Sequence, residues 1–112
     1  MRVRDSNLRI DSFSDAAARL GGRDGMTLCN NTSLQRLSPT EIAVRLHGTY
    51  IVKYQDHGTV VLNTGGWATV TTKSRMNAVL PHSIRVYQRD HSWYVRKDGE
   101  DIPFCDGITL SL

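Results

Sequence analysis

Long hydrophobic runs are missing from this sequence, and their absence removes one class of protein. No apolar stretch approaches the roughly 18 residues that a membrane-spanning helix needs. The first ten residues contain basic side chains but lack the apolar segment of a secretory signal, so we expect no export. We therefore expect no membrane association and a cytoplasmic location, which is the host bacterial cytoplasm if the protein is viral.

Cysteine is scarce, since Cys29 and Cys105 are the only two in the chain. In a reducing compartment we expect free thiols. A disulfide between them stays open as an alternative, because the termini of small domains often lie close together. No CxxC or H-x-H pair occurs, and the histidines, which all fall in predicted turns, lack the i, i+4 helical spacing of a metalloprotease. We expect no metal site.

Catalytic and phosphate-binding motifs are also absent. The pairs Gly21-Gly22 and Gly65-Gly66 do not fit the glycine patterns that hold phosphates between a strand and a helix. We interpret them as a helix stop and a connecting loop, and we expect Trp67, which follows the second pair, to fill a core position. No signature of a Cys-His nucleophile surrounds either cysteine. We therefore expect a protein that is not an enzyme and has no cofactor.

Charge is distributed unevenly along the chain. The formal net charge is only +3, from 14 basic and 11 acidic residues. Residues 98–112 have no Lys or Arg but contain Asp98, Glu100, Asp101 and Asp106. The acidic tail either packs beside the basic body and neutralises part of it, or leaves a basic surface facing an anionic partner. The modest net charge favours the first interpretation.

The order of short segments predicts the fold class. A hydrophobic share of 39% and a charged share of 22% are ordinary for a globular protein. We predict a single domain over residues 1–112, of the α+β class: a small antiparallel β-sheet domain of about six to eight short strands with two short helices. Residues 1–11, with Arg2, Arg4 and Arg9, are expected to form a loosely ordered basic arm or a short edge strand.

Local signals place the elements of the first half. A helix over residues 15–20 would be capped by Ser12 or Ser14 and stopped by the glycine pair that follows. Residues 26–37 predict two short strands around an Asn-Asn turn, or one irregular strand. Strict alternation over residues 42–46 and a hairpin of residues 50–54 with 59–63 complete this half.

At the start of the second half, the spacing of apolar residues changes from that of a strand to that of a helix. Thr71 or Thr72 is predicted to cap a second helix, which Pro81 ends. A two-residue turn, Asp90-His91, then joins strands over residues 84–89 and 92–97. Two further strand-like segments follow, and Pro103 places the first of them at a sheet edge.

One face of the hairpin around Asp90-His91 is basic and aromatic. Pairing across the turn puts Tyr87 opposite Tyr94 and Arg85 opposite Arg96. Alternation leaves Val86, Trp93 and Val95 on the core side. Two opposed arginines repel each other, so the pairing needs a compensating anion. That anion is either Asp101 or Glu100 folded over from the acidic tail, or an external ligand.

Seven basic or aromatic side chains are the candidates for contacting a partner. Tyrosine and arginine anchor protein interfaces, and aromatic rings among arginines also stack on nucleobases. The main candidates are Arg85, Tyr87, Arg89, Tyr94 and Arg96. Lys73 and Arg75 are weaker ones, since they lie in the first turns of the second helix, where positive charge is unfavourable. The alternative is that both are solvated side chains.

Several segments resemble a known family. They read I-A-V-R-L-H-G-T-Y-I-V-K-Y, G-T-V-V-L-N-T-G-G-W-A-T-V-T-T-K-S-R-M-N, R-V-Y-Q and W-Y, within residues 41–97. The chain is similar here to short phage-encoded accessory proteins without an assigned chemistry, and the block G-G-W-x-T-x-T-T-K-x-R-x-N is the most specific part. The first 40 residues look less like this family.

The resemblance implies a phage or prophage gene product that works inside a bacterium. The leading hypothesis is a binding protein that inhibits a bacterial defence system, namely an anti-CRISPR protein that blocks a Cas effector sterically. Its partner would be a host protein or protein–nucleic-acid complex. The alternative is a small nucleic-acid-binding accessory protein that uses the same basic–aromatic face together with the N-terminal arginines. The oligomeric state is left open.

Overall fold

A computed structural model describes residues 8–112 of the chain as two helices and nine strands. The α+β class is confirmed, with slightly more strands than the sequence predicts. In chain order the elements are α1 Phe13–Leu20, β1 Gly25–Cys29, β2 Thr32–Ser38, β3 Glu41–Leu46, β4 Thr49–Gln55, β5 Thr59–Leu62, α2 Val70–Ala78, β6 Ile84–Arg89, β7 Ser92–Lys97, β8 Glu100–Pro103 and β9 Ile108–Ser111.

The larger sheet has six antiparallel strands in the order β1-β2-β3-β4-β5-β9. Across its middle, Leu34, Val44, Val52 and Leu62 lie opposite one another, and all four are fully buried. The opposite face is largely polar, as alternation on a sheet with one solvated face requires. The sheet therefore turns one apolar face towards the helices, which pack against β3 and β4.

The smaller sheet is the antiparallel meander β6-β7-β8. Its inner face contributes Ile84, Val86 and Val95 to the same hydrophobic cluster as the larger sheet. Asp90 and His91 both have positive φ, 51° and 65°, which is the geometry of a two-residue hairpin turn whose twist matches the strands. That turn fixes the predicted register. Strand β8, which contains Pro103, is an edge strand as predicted.

Helix α1 has one of the two predicted caps, but it begins at Phe13, two residues earlier than predicted. Ser12 is the cap, and its hydroxyl accepts the N–H of Asp15 at 3.2 Å. The expectation of a loose arm is wrong for its described part, because Leu8 and Ile10 are buried in the core. Alternate apolar residues before the cap anchor this segment. The remainder of the predicted arm, including Arg2 and Arg4, lies outside the described residues.

Helix α2 starts two residues earlier than predicted. Thr69, and not Thr71 or Thr72, is its cap, and its hydroxyl accepts the N–H of Thr72 at 3.2 Å. The buried Thr72 hydroxyl lies 3.1 Å from that of Thr69, so the two side chains satisfy each other at the start of the helix. At the other end, Met76 is buried against the larger sheet.

Polar side chains join α2 to both sheets. The Asn77 amide donates to the carbonyl of Val86 and accepts its N–H, both at 2.8 Å, so it occupies backbone groups on the outer edge of β6. The Tyr54 hydroxyl donates to the carbonyl of Val79, the residue that caps the end of α2. Because Tyr54 is fully buried, that carbonyl has no water to replace the bond.

We expect Tyr54→Phe to lower the free energy of unfolding by about 1–2 kcal/mol, because it leaves a buried carbonyl unsatisfied. Chemical denaturation at neutral pH measures this change. Tyr50→Phe is the matched control, since the Tyr50 hydroxyl donates to Gln35 in a half-buried position on the polar face. Equal losses for the two variants would contradict the structural role of the Tyr54–Val79 bond.

The same residue makes stability depend on alkaline pH. Burial raises the pKa of Tyr54 well above its ordinary value. A raised folded-state pKa means that the contribution is complete below the unfolded pKa of about 10 and is lost as pH rises above it. We expect the free energy of unfolding to fall less steeply above about pH 10 in Tyr54→Phe than in the wild type. Equal slopes of the free energy of unfolding against pH in the variant and the wild type would contradict the burial of an un-ionised Tyr54 hydroxyl.

Candidate functional site

Strands β6 and β7 bring the five main candidates together on the outer side of the smaller sheet. The register pairs Arg85 with Arg96, Tyr87 with Tyr94, and Arg89 with Ser92, as the sequence predicts. The three arginines are exposed and the two tyrosines are half-buried. We call the surface formed by Arg85, Tyr87, Arg89, Tyr94 and Arg96 the Arg–Tyr face.

The side chains of this face form an ordered stack. The rings of Tyr87 and Tyr94 are stacked, with centroids 5.6 Å apart and planes 24° from parallel. The guanidinium of Arg96 lies 5.3 Å from the Tyr87 ring, and that of Arg89 lies 5.1 Å from the Tyr94 ring. Both distances are within the range of cation–π attraction. Each ring thus contacts the other ring and one guanidinium group, which leaves little ring surface for a nucleobase.

Asp101 supplies the compensating anion that the opposed arginines require. Its carboxylate accepts two hydrogen bonds from Arg96, at 2.8 Å from Nε and 3.1 Å from Nη2, across the β7–β8 pairing. Hydrogen bonding to Arg96 holds the pKa of Asp101 below its usual value and raises the pKa of Arg96. For Arg96, the compensating anion therefore comes from the protein itself and not from an external ligand. It is Asp101 rather than Glu100.

The Tyr87 hydroxyl is the unusual polar group of the face. Its oxygen is buried and makes no hydrogen bond of normal geometry with the described residues. Loss of hydration, together with the nearby Asp101 carboxylate, raises the pKa of Tyr87. The Tyr87 hydroxyl thus lies beside Asp101 and is shielded from solvent, while the rings and guanidinium groups form the outer surface.

The other two arginines of the face, Arg85 and Arg89, make no ion pair within the described residues. Elsewhere in the acidic tail the carboxylates are used locally, since Asp98 pairs with Lys97 at 2.7 Å. Asp106 accepts both the N–H and the hydroxyl of the buried Thr64, at 2.7 and 2.9 Å. The tail therefore leaves two guanidinium groups of the face available.

The two weaker candidates lie away from this face. The Lys73 ammonium lies 5.7 Å from the Trp93 ring and 3.5 Å from the side-chain oxygen of Gln88, both on the inner side of the smaller sheet. Arg75 donates from Nε to the hydroxyl of the buried Thr32 at 3.1 Å, which joins α2 to β2. The structure thus places Lys73 and Arg75 in contacts within the protein.

Trp67 is where the sequence interpretation fails. The predicted core residue is 67% exposed, and Val70, the first residue of α2, is 76% exposed. The preceding Gly65 and Gly66 both have positive φ, and a Cβ on Gly65 would lie 2.7 Å from the Thr49 side chain. The loop is packed tightly against Thr49 at Gly65, whereas Gly66 has open space around it, and the indole that follows lies outside the core. Exposure of this kind has no signature in a single sequence.

The exposed indole lies on a groove of about 680 Å³. The groove runs between the β3–β4 turn, the loop of residues 64–67 and the first turn of α2. Its lining mixes apolar side chains with hydroxyl groups and includes Leu46, His47, Thr49, Ile51, Trp67 and Thr71.

The other expected features can be compared directly with the structure. Cys29 is half-buried and Cys105 is exposed, and both are free thiols, so the alternative of a disulfide is not realised. Within residues 8–112, no group of three or more His, Cys, Asp or Glu side chains is placed to hold a metal ion. Neither helix described here has the length and apolar character needed to cross a membrane.

We expect Asp101→Asn to increase retention on heparin more than Glu100→Gln does. Both substitutions remove one negative charge, but only the first frees Arg96, since Glu100 alternates to the other face of β8. Elution salt on a heparin column measures the difference. Equal retention of the two variants would contradict the role of Asp101 in occupying part of the Arg–Tyr face.

Comparison with known proteins gives one family. A family model described as the Kyanoviridae Gp96 protein matches residues 15–111, from within α1 to the end of β9. No curated protein and no solved structure matches the chain. The matched region includes most of the first 40 residues, which the sequence interpretation had set apart from the family.

Proposed function

The chain belongs to the Kyanoviridae Gp96 protein family of phage proteins, and we propose that it acts by binding an acidic surface of a bacterial macromolecule through its Arg–Tyr face. It would work in the host bacterial cytoplasm by occupying a surface and not by transforming a substrate. The single observation that carries this proposal is the exposed stack of Arg89, Tyr94, Tyr87 and Arg96.

The geometry of the stack suits recognition of a protein. Arginine and tyrosine are the residue types that most often dominate the energy of protein interfaces. Here the rings already hold two of the guanidinium groups in place, which lowers the conformational entropy lost on binding. Arg85 and Arg89, which lack counterions within the described residues, would provide the electrostatic attraction to carboxylates.

The target that we propose is a bacterial defence complex, specifically a Cas effector that the protein would block sterically as an anti-CRISPR. Support for a bacterial target comes from the phage family. The choice among bacterial complexes rests on the general need of a phage to overcome host defence, not on any residue of the chain. Support for the mode of binding comes from the Arg–Tyr face.

A plating assay tests this target. Bacteria with CRISPR systems of several types express the protein and are challenged with a phage that each system targets. We expect the protein to restore plating in at least one system. Charge reversal by Arg85→Glu with Arg89→Glu should weaken binding to that effector by about 1,000-fold, because hot-spot residues each contribute about 2 kcal/mol.

The matched control reverses two charges on the polar face of the larger sheet, by Arg45→Glu with Lys53→Glu. This control should keep both binding and plating. Failure to restore plating in any system would contradict the anti-CRISPR target. If the protein still restores plating after the charges of Arg85 and Arg89 are reversed, that result would contradict use of the Arg–Tyr face.

Binding to nucleic acid is the second candidate function, and it is favoured by the exposed guanidinium groups of Arg85 and Arg89, which make no ion pair within the described residues. Against it, each tyrosine ring is already in contact with another ring and a guanidinium, whereas single-strand binding relies on free ring surfaces. Titration of labelled single- and double-stranded DNA and RNA at about 50 and 200 mM salt separates the candidates. Tight binding that weakens steeply with salt would support the nucleic-acid function over the protein-binding one.

A further inference from the structure

The groove beside Trp67 supports an inference that is independent of the proposed function. Trp67 and Val70 are two of the three large hydrophobic side chains that are exposed among residues 8–112, and they lie three residues apart, in the loop before α2 and at its first residue. An indole buries on the order of 200 Å² when it is covered, so leaving it in water forgoes a large hydrophobic stabilisation. An exposed tryptophan of this kind commonly marks a contact with another molecule.

A projection and a cavity occur side by side on this surface. The indole stands on the rim of a groove of about 680 Å³, whose floor includes the apolar side chains Leu46 and Ile51. A surface that carries both a projecting group and a recess large enough to admit it can pair with a second copy of itself. When a two-fold axis passes beside such a surface, the projection of each copy enters the recess of the other.

The charges of the protein favour a second copy at this place. No Lys, Arg, Asp or Glu lines the groove, so two copies of a protein with net charge +3 can approach here without opposing like charges. The Arg–Tyr face behaves in the opposite way, because a symmetric contact there would bring unpaired arginines together. Of the two surfaces, only the groove is compatible with association between identical copies.

We propose that a second copy of this chain occupies the groove, in a symmetric dimer in which the Trp67 indole of each copy lies in the groove of the other. The Val70 side chain extends the apolar contact beyond the rim, and Thr49 and Thr71 are among the residues that line the groove. The contact is closed by its symmetry, so the assembly stops at two chains.

Sedimentation velocity over about 1–500 μM protein, the range in which an interface of modest size dissociates, tests the proposal. We expect a concentration-dependent dimer. Trp67→Ala should weaken it by about 1,000-fold, since the symmetric dimer loses two central tryptophans and each commonly contributes about 2 kcal/mol. In a Trp93→Phe background, where Trp67 is the remaining tryptophan, the emission maximum should shift to the blue as the dimer forms.

A charge introduced at the border provides a second variant that does not remove the indole. Thr71→Arg places two like charges across the two-fold axis and should abolish the dimer. Thr109→Arg, at an exposed position on β9, adds the same charge away from the groove and should leave it unchanged. Circular dichroism on each variant confirms that it is folded.

Three results would overturn the proposal. They are a monomer at every concentration, a dimer that persists in both Trp67→Ala and Thr71→Arg, or growth into species larger than a dimer. None of them bears on the proposed function, because no residue of the Arg–Tyr face lines the groove.

Discussion

The register of the β6–β7 hairpin is the constraint on which the rest of the structure depends. Asp90 and His91 both take left-handed backbone conformations, which allows a turn of only two residues. A shift of one residue would exchange the two faces of each strand. Val86 and Val95 would then point to solvent and the arginines towards the core. The part of the hydrophobic cluster that this hairpin contributes and the Arg–Tyr face are thus two consequences of one pairing.

Helix α2 transmits that arrangement to the larger sheet. The block G-G-W-x-T-x-T-T-K-x-R-x-N, on which the family resemblance depends, contains most of the polar contacts that hold this helix. Thr69 caps it, Arg75 bonds to β2, and Asn77 occupies the open edge of β6. Trp67 differs from these, because its side chain has no core position and makes no hydrogen bond within the described residues. The block therefore combines residues that hold the fold with one that is directed outwards.

Local rules predicted much of this structure. Period-two alternation and short turns identified the strands, and the register of one hairpin placed five side chains on one face correctly. What the sequence could not predict depends on contacts between distant segments. The pairing of β9 with β5 and the burial of Leu8 and Ile10 are contacts of this kind. The choice of Asp101 over Glu100 as the partner of Arg96 is local, and it follows from the register of the β7–β8 hairpin. The orientation of Trp67 was predicted wrongly because the loop before it packs through glycine backbone against Thr49.

The central claim is that the outer side of the smaller sheet holds a preformed stack of arginine and tyrosine side chains in the free protein. Nuclear magnetic resonance tests it most directly, through the chemical shifts of the Arg89 and Arg96 side chains and the cross-relaxation between the Tyr87 and Tyr94 rings. We predict upfield shifts of the arginine δ protons, caused by the adjacent rings, and contacts between the two rings. Arginine shifts equal to those of an unstructured peptide, with no contact between the rings, would contradict the account.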